Sequence, residues 1–215
     1  MGPIAVVGGT GHLGFGLAAR WARAGRRVII GSRQAAKAEE AAQQARALAG
    51  EGNISGAANA DAAAAAEIVV LTIPFAAQAA ILEDLRRAVD GKIVVDTTVP
   101  LRQYAPPHLE SIPAGSAAAQ AQALLPEARV VAAFHTVSQT LVRRVTEPLE
   151  GDVLVCGDNP AAKAAVVDLA AALGMRALDA GGLEQAVTLE RLAALVIGLN
   201  QRYRRKAIGV RFTGI

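Results

Sequence analysis

The 215-residue chain has a single cysteine, three histidines and very few large rings, with Phe, Trp and Tyr together making up 3%. One cysteine excludes an internal disulfide framework, and without an H-x-x-x-H pair or a cysteine cluster the sequence offers no metal site. Alanine takes the place of the missing aromatics in a composition that is still 53% apolar. The core must therefore rely on close helix–sheet contacts. Charge of either sign is scarce, with Lys+Arg 22 against Asp+Glu 19. A net charge of +3 leaves no footprint for nucleic acid, although it suits small anions. The alanine-rich run 62–82 is interrupted by Glu67 and Pro74, which argues against a membrane span. No charged leader precedes the first apolar run, so the expectation is a cytoplasmic protein.

What the chain does have is alternation. Short β-rich runs are expected as strands near 3–8, 26–31, 68–73, 92–96, 129–133 and 152–156, with a weaker one near 53–56. Helical Ala/Leu/Arg segments fit near 12–24, 34–49, 75–89, 116–125 and 160–173. Asn159 followed by Pro160 is a good helix start. Runs such as "IVVLTI" and "KIVVDT" are apolar on both faces, as strands covered on each side require. The fold class read from this pattern is α/β, a Rossmann-type, doubly wound, mostly parallel sheet. Residues 1–182 form its main domain, and 183–215 add a small C-terminal helical extension with a short tail. The breaker-rich stretch 104–116 reads as a loop within that domain.

Gly9, Gly11 and Gly14 form G-x-G-x-x-G directly after the first strand and at the opening of a helix. The first permits a tight turn, the second lets a pyrophosphate approach the backbone, and the third lets helix pack on strand. Thr10, His12 and Leu13 complete the turn, and the N–H groups at the helix start meet the phosphates. Which dinucleotide binds is decided at the end of the second strand, in "IIGSRQAAKA". An acid there would accept bonds from the ribose hydroxyls of NAD. Ser32, Arg33 and Lys37 stand there instead, a hydroxyl and two cations suited to a 2′-phosphate, so NADP(H) is the expected cofactor.

The ends of the parallel strands should gather around the nicotinamide, which points to "TIPF", "TTVP" and "FHTVS". These contribute Ile73, Pro74 and Val99 as cofactor contacts and His135 as the catalytic candidate, able to steady a proton near neutral pH. Cys156 reads as a small buried hydrophobe. Asp96 and Asp179 read as strand-end residues that orient loops or cap helices. Tyr203 and Lys206 are one residue too close for the Tyr-x-x-x-Lys of short-chain dehydrogenases.

Taken together, "VGGTGHLGFGLA", "IIGSRQAAKA", "VVLTIPF", "GSAAAQAQALLPEARVVAAFHTVS", "DVLVCGD" and "LDAGGL" resemble the NADPH-dependent reductases of coenzyme F-420. The matches run in order from the first strand to about residue 183. The resemblance implies hydride transfer between C4 of a nicotinamide and C5 of a deazaflavin, with NADP(H) as cofactor and coenzyme F-420 as co-substrate. It places the NADP contacts on Thr10, Ser32, Arg33 and Lys37, and the crevice histidine on His135. After "LDAG" the family usually carries an Asn and a segment resembling "ESLT", whose hydroxyls face the deazaflavin. This chain has Gln185 and "ERLA", with Arg191 and Ala193 at those positions. Two alternatives stay open at this stage: an NADPH-dependent reductase of another flavin-like or small acceptor, and a non-catalytic NADP(H)-sensing protein. The apolar stretch Leu189 to Leu199 is long enough to pack on a second copy, so a homodimer is expected.

Overall fold

The computed structural model describes residues 2–50 and 52–215. The chain begins with β1 (Ile4–Val7), α1 (His12–Arg23), β2 (Val28–Ser32), α2 (Ala35–Ala49) and β3 (Ile54–Ala58). Next come α3 (Asn59–Ala64), β4 (Ile68–Leu71), α4 (Phe75–Leu85) and β5 (Ile93–Asp96). A hairpin of β6 (Leu101–Gln103) and β7 (His108–Leu109) leads to α5 (Ala117–Leu124) and β8 (Arg129–Ala133). The last elements are β9 (Asp152–Gly157), α6 (Pro160–Ala172), β10 (Arg176–Asp179) and α7 (Ala186–Arg202).

Eight strands form one sheet in the order β10-β9-β8-β5-β4-β1-β2-β3. From β3 through β8 the pairs are all parallel. That is the dinucleotide-binding order, and its switch point lies between β1 and β4. The strands bury both faces. Ile4 and Val6 of β1 pack with Leu17, Trp21 and Leu169 on one side. Ala5 and Val7 pack with Leu82, Ala121 and Leu189 on the other. Alanine does here what the composition required of it. The buried stripe of α2 is Ala38, Ala41, Ala42, Ala45 and Ala49. Each such methyl contributes about 0.8 kcal/mol, so α2 is held by many small contacts at close range.

Beyond the short β6–β7 hairpin and the edge strand β10, three features depart from the expected pattern. The alanine-rich run before β4 contains a separate short helix, α3, because alanine carries no periodic signal that marks an end. The helix expected over 75–89 stops at Leu85 and continues as a 3-10 turn. Finally, β9 runs antiparallel to β8, with Ala133 opposite Val155. Residues 134–151 contain no crossover helix, and only a crossover could return the chain for parallel pairing. That loop therefore leaves β8 and enters β9 at the same edge of the sheet.

α7 buries Leu189, Ala193, Ala194 and Val196. The β6–β7 hairpin is tied to its far end, where Gln201 Nε2 donates to the Tyr104 carbonyl at 2.6 Å. The stretch 104–116 is thus docked on α7. The tail returns to β9: Asp152 N–H donates to the Val210 carbonyl at 2.7 Å, and Phe212 N–H donates to Asp152 Oδ2 at 2.6 Å. Arg176 pairs with Asp152 at 2.7 Å, which holds the Asp152 carboxyl below the usual carboxylate range. Among the described residues, no helix is long and apolar enough to cross a membrane.

Candidate active site

In a sheet of this order the ligand crevice lies beyond the C-terminal ends of the parallel strands, here β1, β2, β4, β5 and β8. Its floor is the glycine turn, and the three glycines differ in what surrounds them. A Cβ on Gly9 would stand 2.7 Å from the Val6 carbonyl, and one on Gly14 would run into Thr72 and lie 2.9 Å from Gly9 Cα. Both positions are closed by the protein's own packing. At Gly11 a Cβ would meet nothing nearer than the Gly8 carbonyl at 3.4 Å, and its φ of −76° suits any residue. The space beside Gly11 is free, as a cradle for a pyrophosphate requires. Thr10, Gly11 and His12 are exposed there, while Leu13 packs partly against the core. Ile73 is buried against this turn, where its Cγ2 would lie 2.7 Å from a Cβ on Gly8. Pro74 is exposed at the start of α4, and Val99 is half-buried just past β5.

α1, α2 and α4 begin at this edge with no capping side chain and no acid in their first turns. Their first N–H groups and dipoles favour an anion. By contrast, Ser116 caps α5 and Asn159 caps α6, each accepting a backbone N–H. At the end of β2, Ser32 is buried and its hydroxyl oxygen accepts the Gln34 N–H at 3.3 Å, which leaves its own proton to donate. Arg33 and Lys37 lie exposed beside it. The nearest acid along α2, Glu39, is turned away and accepts the Gly56 N–H at 3.0 Å. Among the described residues, no carboxylate pairs with Arg33 or Lys37.

Across the crevice, β8 ends in a strained turn. Phe134 adopts φ 65°, unusual for a bulky residue and costing about 1–3 kcal/mol. Its ring is locked in the core, edge-on to Trp21 at 5.8 Å. The turn that buries Phe134 sends His135 the other way, toward the end of β5. Both imidazole nitrogens of His135 are buried and without a hydrogen-bond partner, as is Thr98 Oγ1. Burial pulls His135 down to about 4, with the Thr98 backbone acting in the opposite direction. His135 is therefore neutral at physiological pH. It can offer one N–H and one lone pair for hydrogen bonding. Leaving a buried polar group unpaired costs about 1–3 kcal/mol, a cost that a polar ligand here would relieve.

Behind His135 lies a buried polar layer that the sequence did not reveal. Thr72 and Thr97 use their hydroxyls to bond the Val7 and Leu71 carbonyls, so these two stitch strand ends together and do not face a ligand. Asp96 accepts the Thr98 N–H and a Gln78 Nε2 donor, each at 2.6 Å. Burial still pushes Asp96 up to about 6. From α7, Glu190 reaches the start of α5 and accepts the Ala117 N–H at 2.8 Å. Only 2% of Glu190 is exposed, and burial pushes its carboxyl up to about 8, with Asp96 adding to the rise. Elsewhere Asp179 bonds locally to Lys163 and the Gly181 N–H, and burial pushes the Cys156 thiol up to about 12.

A dinucleotide cradle that faces an unpartnered imidazole across the switch point suits two ring systems held together. Comparison with known proteins agrees. A family model described as NADP oxidoreductase, coenzyme F420-dependent, matches residues 3–100. The F420-dependent NADP reductase of Methanocaldococcus jannaschii is 40% identical, covering 99% of this chain and 98% of its own. The chain belongs to the F420-dependent NADP reductase family. The reductase of the same name from Methanothermobacter thermautotrophicus is 43% identical over 99% of this chain and 95% of its own. A crystal structure from Arthrobacter sp. FB24, provisionally named an F420-dependent NADP reductase, superposes with a TM-score of 0.83. It is 31% identical and covers 98% of this chain and 99% of that one. Within this reductase, Arg191 is exposed on α7 and Ala193 is buried, so neither supplies a hydroxyl to the crevice. Thr98 and Glu190 escaped notice in the sequence. A lone threonine or glutamate carries no spacing signal, and only the fold brings each to its partner.

Proposed function

We propose that the protein transfers a hydride between NADP(H) and the deazaflavin coenzyme F-420 in the crevice at the switch point. The observation that carries this reading is the pairing of an acid-free, cationic end of β2 with the partnerless His135 across the same cleft. The nucleotide lies on Gly9, Thr10, Gly11, His12, Leu13 and Gly14, with Ile73, Pro74 and Val99 beside the nicotinamide half. Ser32, Arg33 and Lys37 hold the 2′-phosphate, because a guanidinium fork and two further donors match its oxygens. When bound, the two ring systems supply the hydride exchange: NADPH gives up a hydride, and a proton from solvent completes the reduced deazaflavin. His135, neutral and desolvated, orients the second ring by hydrogen bonding at its pyrimidine end. Positioning of the two partners supplies most of the rate enhancement.

Residues 183–215 act in this scheme as the cover of the deazaflavin half, attached to a main domain of 1–182. A homodimer formed through α7 accounts for Leu195, which is 57% exposed on an otherwise well-packed helix. The partner molecules are small redox co-substrates, and the reaction belongs in the cytoplasm. The test is anaerobic absorbance of purified protein with NADPH and F-420, for the wild type and His135→Ala. Wild-type turnover is expected, lowered about tenfold to a hundredfold in the variant, near the low end of acid–base and orienting contributions. NADPH affinity should stay nearly unchanged. Unaltered turnover in His135→Ala would remove that residue from the site.

A further inference from the structure

The loop between β8 and β9 stays at the crevice edge, and its middle is fixed to α1, the helix that opens at the glycine turn. Arg20 of α1 is only 7% exposed, and its guanidinium donates to four carbonyls of that loop. They are Leu141 at 3.1 Å, Val142 at 2.8 Å, Arg144 at 2.7 Å and Glu147 at 2.8 Å. Gly16, one turn into α1, makes the approach possible, since a Cβ there would stand 2.8 Å from the Val142 carbonyl carbon. Between the anchored Val142 and Arg144 carbonyls lies Arg143, which is exposed. Its Nη1 lies 2.7 Å from His12 Nδ1, and its guanidinium carbon sits 5.7 Å from the centre of the Phe15 ring. No carboxylate among the described residues pairs with Arg143, in contrast to Arg144, which meets Glu147 at 3.2 Å.

This arrangement has a chemical consequence at the turn. An arginine can only donate, so His12 Nδ1 accepts and its remaining proton sits on Nε2, a donor at the first residue of α1. Among the described residues, most of the guanidinium's donors also have no partner. An exposed cation rarely holds one place, because a long side chain loses entropy when ordered. Here the stacking on Phe15 and the anchored loop order it in advance. What belongs between the His12 Nε2–H, a guanidinium that no described carboxylate pairs and the uncapped start of α1 is a phosphate anion.

We propose that Arg143, carried in by the β8–β9 loop, is a second anchor for the pyrophosphate, acting with His12 above Gly11. This rests on the NADP(H) reading of the crevice and adds to it a contact that no part of the glycine motif supplies. It also ties nucleotide binding to the loop that follows His135, so that both halves of the crevice share one rigid support.

The test uses three ligands that differ in their phosphates: NADPH, 2′,5′-ADP and 2′-AMP, titrated calorimetrically against wild type, Arg143→Ala, Arg143→Lys and Arg33→Ala. Arg143→Ala should weaken NADPH and 2′,5′-ADP by about tenfold to a hundredfold, the range for a charged hydrogen bond, and leave 2′-AMP unchanged. Arg143→Lys should recover part of the loss, and Arg33→Ala should weaken all three. Equal weakening of 2′-AMP by Arg143→Ala would mean that the residue only supports the loop, and unchanged NADPH affinity would mean that it touches no phosphate. Either overturns the proposal while the NADP(H) reading stands. Wild-type protein that binds none of the three would overturn that reading, and this inference with it.

Discussion

Gly11 is the residue at which folding and binding separate. A Cβ there meets nothing nearer than the Gly8 carbonyl at 3.4 Å, so a side chain at this position extends into the space beside the turn. Gly11→Val is expected to melt like the wild type and to lose measurable NADPH binding. A folded variant that keeps its affinity would show that the pyrophosphate lies elsewhere. Arg33 separates the two nucleotides. It is exposed and bonded to no described residue, so its loss should not unsettle the fold. Arg33→Ala should weaken NADPH by about 1.5–3 kcal/mol, as for a charged hydrogen bond, and spare NADH. Titration of both nucleotides decides this, and an equal loss for NADH would assign Arg33 to the fold. These residues were legible in the sequence because each sits at a fixed offset from a strand end. The neutrality of His135 was not, since it arises from burial by β5 and β8 together.

Among the elements, α7 and α5 are joined by a proton. Glu190 sits at the start of α5, faces Asp96 and the Ala117 N–H, and is raised from an ordinary 4.5 to about 8. The folded state thus keeps a proton that the unfolded chain releases between those values. Its contribution to stability is full below about pH 4.5 and is lost as pH rises through about 8. Asp96, raised from 3.8 to about 6, acts in the same direction over a lower window. Glu190→Gln keeps an acceptor for Ala117 and has no proton to lose. The two proteins should melt together near pH 5, with the variant a few degrees higher by pH 9, since 1 kcal/mol is worth about 2–4 °C at this size. Parallel melting curves across that range would show that Glu190 is already ionised in the fold. The elements themselves were largely readable, and those that escaped did so for separate reasons. α3 hid within an alanine run, and the partly exposed edge strand β10 has no full apolar alternation. The reversed direction of β9 depends on a missing crossover, which periodicity cannot register.

At the scale of the molecule, the sheet order places a cationic, acid-free nucleotide groove and a desolvated imidazole on opposite sides of one switch point, with α7 and the docked hairpin closing the far end. A nicotinamide and a deazaflavin are the two ring systems that the proposed hydride transfer brings together. The F420-dependent NADP reductase family to which the chain belongs is named for that pair of co-substrates. The most direct test follows the transferred atom. NADPH carrying deuterium at the transferring C4 position is mixed anaerobically with F-420 and the protein in ordinary water, and the reduced deazaflavin is weighed by mass spectrometry. One deuterium per molecule is expected, retained at C5. Reduced deazaflavin without label, or oxidation of NADPH with F-420 left unchanged, would contradict it.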